Sequence, residues 1–142
     1  MITEDYVSYE VAKLLREKGF NEYCWKLYEL GDGDIIPVLL NGFELSEESS
    51  FWNNKYLELY KKEHCYINDI CSAPTHQMVM KWLREVYNIV ISIFPTIETD
   101  VIVREDYNYT IYKNRTAIYQ NSSLTYEQSC EESIKYTLEN LI

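Results

Sequence analysis

Along this chain the apolar positions switch several times between a helical period near 3.6 and a strand period near 2. Around SYEVAKLLREKGF, Val7, Val11, Leu14 and Leu15 share one helical face, and Glu10, Lys13, Arg16 and Glu17 take the other. Ser8 suits the N-cap and Gly19 a left-handed stop, after which Phe20 can fold back on the apolar stripe. Tyr23 to Leu30 reads as a strand, Gly31-Asp32-Gly33-Asp34 as a turn, and Ile35 to Leu40 as the return strand. Pro37 has no N–H for a ladder, which puts that strand at an edge or interrupts it.

Residues 41–73 carry Gly, Ser and Asn punctuation with an acidic patch at Glu44, Glu47 and Glu48. They read as an ordered loop, because Phe51 and Trp52 need cover, with a short helix around Lys55 to Lys62 and a short strand near Cys65 to Ile67. In CSAPTHQMVMKWLRE the helical period returns: Met78, Val79, Trp82, Leu83 and Val86 form an apolar face, and Gln77, Lys81, Arg84 and Glu85 point away. Thr75 suits the N-cap there, with Pro74 fixing the approach. Ile89 to Phe94 is almost continuously apolar and β-branched, which predicts a central strand covered on both faces and ended by Pro95. Val101 to Val103 suits a brief strand. Tyr107, Tyr109 and Ile111 alternate with Asn108, Thr110 and Tyr112, as in a strand with one buried face. Asn114-Arg115 is a hairpin tip and Thr116 to Gln120 the return strand.

The last segment, TYEQSCEESIKYTLENLI, predicts a helix with a capping box of Thr125 and Gln128. Tyr126, Cys130, Ile134, Leu138 and Leu141 line its inner side, and Glu127, Glu131 and Glu132 lie near the positive end of the helix dipole. The element order is α-β-β, an irregular middle, then α-β-β-β-α. That order predicts an α+β fold, a mainly antiparallel sheet with about three helices packed on one face, in a single domain spanning residues 1–142. The last 68 residues share the element order of the double-stranded-RNA-binding domain. Leu15-Arg16-Glu17 and Leu83-Arg84-Glu85 echo one another, but three common helix residues do not make a repeat.

Charge argues against that RNA-binding function. The chain holds 13 Lys and Arg against 23 Asp and Glu, a net charge of −10. Phosphate backbones and anionic membranes are held by clustered cations, and here the cations are scattered, so nucleic acid and membrane are not expected as partners; an acidic surface favours basic partners, but its plainer reading is solubility. No apolar run reaches the ~20 residues of a membrane helix, and MITEDYVSYE lacks the regions of a signal peptide. A cytoplasmic setting is expected, with four free thiols. The acceptor-like triplets at Asn108, Asn114 and Asn121 then carry no glycan. Fourteen tyrosines suit half-buried strand positions and contact surfaces.

Chemical candidates are few. His64, Cys65, Cys71 and His76 are zinc-ligand types, but no C-x₂₋₄-C or H-x₃₋₅-H spacing is present. Cys71 precedes a helix whose dipole can lower its pKa, and His76 lies on the first turn, so the two are candidates for a nucleophile pair. Cys24 and Cys130 read as core. Asp32 and Asp34 suggest a calcium loop, but Ile35 and Ile36 stand where further oxygens are needed, so a solvated turn is expected. Glu98/Asp100 and Glu105/Asp106 read as charged strand ends rather than acid and base. No phosphate-binding loop, dinucleotide fingerprint or hydrolase motif occurs, and no cofactor is expected.

Three pieces, AKLLREKGF, SAPTHQMVMKWLRE and SLTYEQSCEESIKYTLENLI, carry a resemblance to short proteins of phages and mobile elements of gut anaerobes, a group without assigned activity. Together they span under half of the chain, and residues 31–63 are longer than such proteins usually carry. The resemblance implies a compact domain with an accessory phage or prophage role, and no catalytic residues. The leading expectation is a non-enzymatic protein-binding module, in one variant an acidic decoy of a nucleic-acid-binding protein. Alternatives are a small hydrolase or transferase using Cys71, and a self-associating protein with an exposed Tyr-rich sheet edge.

Overall fold

The computed structural model describes residues 2–39, 57–96 and 106–142. The expected loop at 41–56, the strand at Val101 to Val103, and Glu98, Asp100 and Glu105 lie outside them. The chain forms two compact units, Tyr6–Thr75 and His76–Ile142 with Met1–Asp5. Among the described residues there are four helices and six strands, an α+β composition. The strands pair antiparallel throughout, as expected, but in two sheets of three rather than one.

The first unit begins with helix α1, Tyr9–Glu17. The Ser8 hydroxyl accepts from Val11 N at 3.3 Å. Gly19 sits at φ 86°, and Phe20 N donates back to Leu15 O, so the Phe20 ring is buried against the helix it follows. Strands β1, Lys26–Gly31, and β2, Asp34–Leu39, form a hairpin whose turn residues Asp32 and Gly33 both have positive φ, the backbone twist that a two-residue hairpin turn needs. β2 is an edge strand, as Pro37 requires, and is not interrupted. Helix α2, Leu57–Glu63, lies close to the expected helix. The strand expected at Cys65 to Ile67 forms further on, as β3, Asp69–Ser72, and pairs with β1. Alternation along β1 and β3 divides their side chains between two faces. Leu27 and Ile70 join Leu57 of α2 and Ile67 in one cluster. Tyr28 and Cys71 take the opposite face, where Tyr28 packs edge-on to Tyr9 of α1 at 5.9 Å. Helices therefore flank this sheet on both faces, not on one.

An ion pair that spacing did not suggest joins α1 to β3. Arg16 Nη1 and Nη2 lie 2.7 and 3.2 Å from the two Asp69 oxygens, and Nη1 also donates to Ile70 O. The Tyr9 hydroxyl adds a donor to Asp69 at 3.3 Å. Burial pushes the Asp69 carboxyl up, but the Arg16 hydrogen bond and charge outweigh it and hold the group below its ordinary value.

The second unit opens with helix α3, His76–Tyr87, starting directly after Thr75 as expected. Val79, Trp82 and Leu83 are buried, whereas Val86, assigned to the same face, is 58% exposed. Asn88, at φ 54°, turns the chain into β4, Ile89–Pro95. β5, Tyr107–Lys113, and β6, Thr116–Ser123, form a hairpin with Asn114 and Arg115 at positive φ. Among the described residues the sheet order is β4-β5-β6, so β4 lies at an edge there and not in the centre. Helix α4, Tyr126–Asn140, is capped by Thr125 Oγ1, which accepts from Gln128 N at 3.1 Å. Its buried stripe of Cys130, Ile134 and Leu138 includes three small polar residues. Ser129 Oγ donates to Tyr107 O, Ser133 Oγ to Cys130 O and Thr137 Oγ1 to Ser133 O, so burial strands none of these hydroxyls.

Replacing Asp69 with Asn is expected to lower stability at neutral pH by about 1–3 kcal/mol in urea unfolding, because Arg16 is left without its counter-charge. A carboxyl held below its unfolded value stabilises above that value and loses the effect as pH falls through its folded value. The gap between wild type and variant should therefore shrink as pH drops below about 3.8.

Candidate interaction surface

The residues singled out for chemistry are divided between the two units. Cys71 is fully buried in the first unit, and burial pushes its thiol up to about 12, with Arg16 pulling weakly the other way. That is the reverse of the activation expected ahead of a helix. Cys24 and Cys130 are buried and likewise pushed up to about 12 by burial. Cys65 is exposed. His64 stacks on Tyr60 with centroids 4.2 Å apart, and its Nδ1 lies 2.9 Å from Tyr60 O, a local contact at the end of α2. His76 belongs to the second unit, where its Nε2 meets Glu131 Oε2 at 2.8 Å. Among the described residues no group of three or more His, Cys, Asp or Glu is placed to hold a metal ion. Asp32 sits in the tight β1–β2 turn, and Asp34 opens β2. No described helix is long and apolar enough to cross a membrane.

What the second unit does present is a sheet with two unlike faces. Register assigns Ile89, Ile91 and Ile93 of β4, Tyr109 and Ile111 of β5, and Tyr119 of β6 to one face. α4 covers that face. Tyr136 stacks on Tyr119 with centroids 3.6 Å apart, Tyr126 meets Tyr107 edge-on at 5.9 Å, and Ile89 and Ile111 are fully buried. Tyr126 itself stays partly exposed, at the margin of the stripe rather than inside it. Burial also pushes the Tyr109 hydroxyl up to about 12, with Tyr119 and Glu132 adding to the shift.

The opposite face holds Val90, Ser92 and Phe94 beside Tyr112, Thr110 and Asn108, and then Gln120 and Ser122 of β6. Val90 and Phe94 are 41% and 45% exposed. Among these residues only Thr110, on the central strand, is buried. The continuous apolar run of β4 thus does not report cover on both faces. Isolated exposed apolar side chains need no explanation, but two large ones on one face beside a tyrosine form a patch suited to contact. At the end of β6 an open groove of about 430 Å³ is lined by Ser122, Ser123, Leu124, Gln128, Glu131 and Glu132. Its lining sets serine, glutamine and glutamate side chains beside Leu124, and the Ser123 hydroxyl donates to Glu132.

No protein-family model, curated protein or solved structure matches this chain.

The thiol environments predict selective labelling. At pH 8 the native protein should react with a thiol reagent at Cys65 alone, and at Cys24, Cys71 and Cys130 only on unfolding. Mass mapping of the labelled peptides reads this directly, and fast native labelling of Cys71 would contradict it.

Proposed function

We propose that this chain is a non-enzymatic protein-binding module with an accessory role in a phage or prophage, acting in a reducing cytoplasm. The observation that supports this reading best is the exposure of Val90 and Phe94, with Tyr112 beside them, on the face of β4-β5-β6 opposite α4. Apolar and aromatic side chains on a rigid sheet supply contact area at little entropic cost. The net charge of −10 favours a basic partner and speeds its approach. The thiol chemistry supports the non-enzymatic side of the reading, since Cys71 is buried and its pKa is raised rather than lowered.

A pull-down from host lysate tests the reading when paired with a Val90→Ser/Phe94→Ser variant. Wild type should retain a partner at constant stoichiometry, with binding that weakens as salt rises. The variant, with its thermal midpoint unchanged, should lose it. An empty pull-down at low salt, or equal retention by the variant, counts against the module.

A further inference from the structure

A sheet edge carries unpaired N–H and C=O groups, and folded proteins generally blunt it with proline, charge, shortness or cover. The hydrogen-bond phase of each ladder tells which residues turn their backbone groups outward. In the first sheet Ala73 N donates to Lys26 O, so the even-numbered residues of β1 face β3 and the odd ones face β2. Pro37, opposite Tyr28, therefore occupies an outward position of β2. In the second sheet Thr96 N donates to Asp106 O and Asn114 N to Asn88 O, so the even residues of β5 face β4. Pro95, opposite Tyr107, therefore occupies an outward position of β4. Two of the three prolines in the chain thus remove a donor from a free edge. β3 has four residues and three of them are buried.

Among the described residues β6 has none of these protections. Its eight residues, TAIYQNSS, contain no proline and no charge, in a chain where charged residues make up 25%. Six of the eight are exposed. Tyr119, Asn121 and Ser123 face β5, so Gln120 and Ser122 turn their backbone groups outward. The Ser122 N–H is taken by its own neighbour, Asn121 Oδ1, at 2.9 Å, as expected of a donor with no strand beyond it. The bulge next to Tyr112 lies at the start of the strand and leaves Gln120 to Ser123 regular.

We propose that β6 is the docking edge for a second copy of this chain, the two β6 strands pairing antiparallel about a twofold axis into one six-stranded sheet. The inference goes beyond the binding-module reading, which uses a face and not an edge. The net charge of −10 by itself favours a basic partner; it is the lack of charge on β6 that admits a second copy. Two molecules of −10 repel wherever acidic surface meets acidic surface, and β6 offers an uncharged strip where they do not. Antiparallel pairing also sets unlike ends together. The hairpin tip of one copy carries the exposed Arg115, and it approaches the Ser123 end of the other, where the Ser123 hydroxyl donates to Glu132. The twofold repeats that match. A twofold also uses one patch twice, so a single self-complementary strand suffices.

Sedimentation equilibrium over a wide concentration range tests the proposal. Wild type should rise from 17.0 kDa towards twice that mass. Gln120→Pro removes an outward N–H but no bond to β5, and should weaken the dimer about tenfold or more, because two symmetry-related hydrogen bonds are lost. Gln120→Lys, which keeps the backbone intact, guards the edge with charge and should weaken it too. Phe94→Ser should leave the dimer unchanged, which separates this proposal from the binding-module reading. A mass of 17.0 kDa at every concentration, or a dimer that persists unaltered in both Gln120 variants, overturns it.

Discussion

The contact between the inner stripe of α4 and the odd-numbered side chains of β5 governs what the C-terminal unit can do. Cys130, Ile134 and Leu138 are buried along α4, and Tyr109 and Ile111 along β5. Each fully buried aliphatic side chain contributes on the order of 1.5–3 kcal/mol, so this seam dominates the unit's stability. Because strand side chains alternate, committing the odd positions to α4 sends the even ones to the other face. Val90 and Phe94 are outward as a consequence of that commitment, and the open face follows from the packing that folds the unit.

The N-terminal unit resolves the same geometry differently. β3 brings Ile70 to α2 and Cys71 to α1, so consecutive residues of one short strand are both buried, on opposite faces. Arg16 and Asp69 then close the α1 side with a two-pronged ion pair backed by Tyr9. A planar guanidinium meeting a carboxylate through two N–H groups adds direction as well as strength. This arrangement leaves Cys71 sealed, which is why it serves packing rather than reactivity.

Local chemistry was the legible part of the sequence. Ser8, Gly19, Thr125 and the positive-φ turn at Asp32-Gly33 act over three or four residues, and each does what its type predicts. The helices α1, α3 and α4 were readable for the same reason. What escaped was set by partners far along the chain. An apolar run such as Ile89 to Phe94 does not encode which side its neighbour takes, so a central strand and a half-exposed edge strand look alike. Arg16 reads as solvated on a helical wheel until Asp69 arrives from 53 residues away. The division into two sheets depends on β3, whose four residues are too few to show a period. At the candidate surface, the tyrosines marked a contact-prone sheet, but only strand order distinguishes the covered tyrosines from the open face.

The central claim is that one face of β4-β5-β6 is packed against α4 and that the other carries Val90 and Phe94 into solvent. Solvent relaxation of methyl resonances by a neutral soluble gadolinium chelate tests it at adjacent residues of one strand. The account predicts strong enhancement at the Val90 methyls and almost none at Ile89, Ile111 and Ile134. Equal protection of Val90 and Ile89 would contradict it.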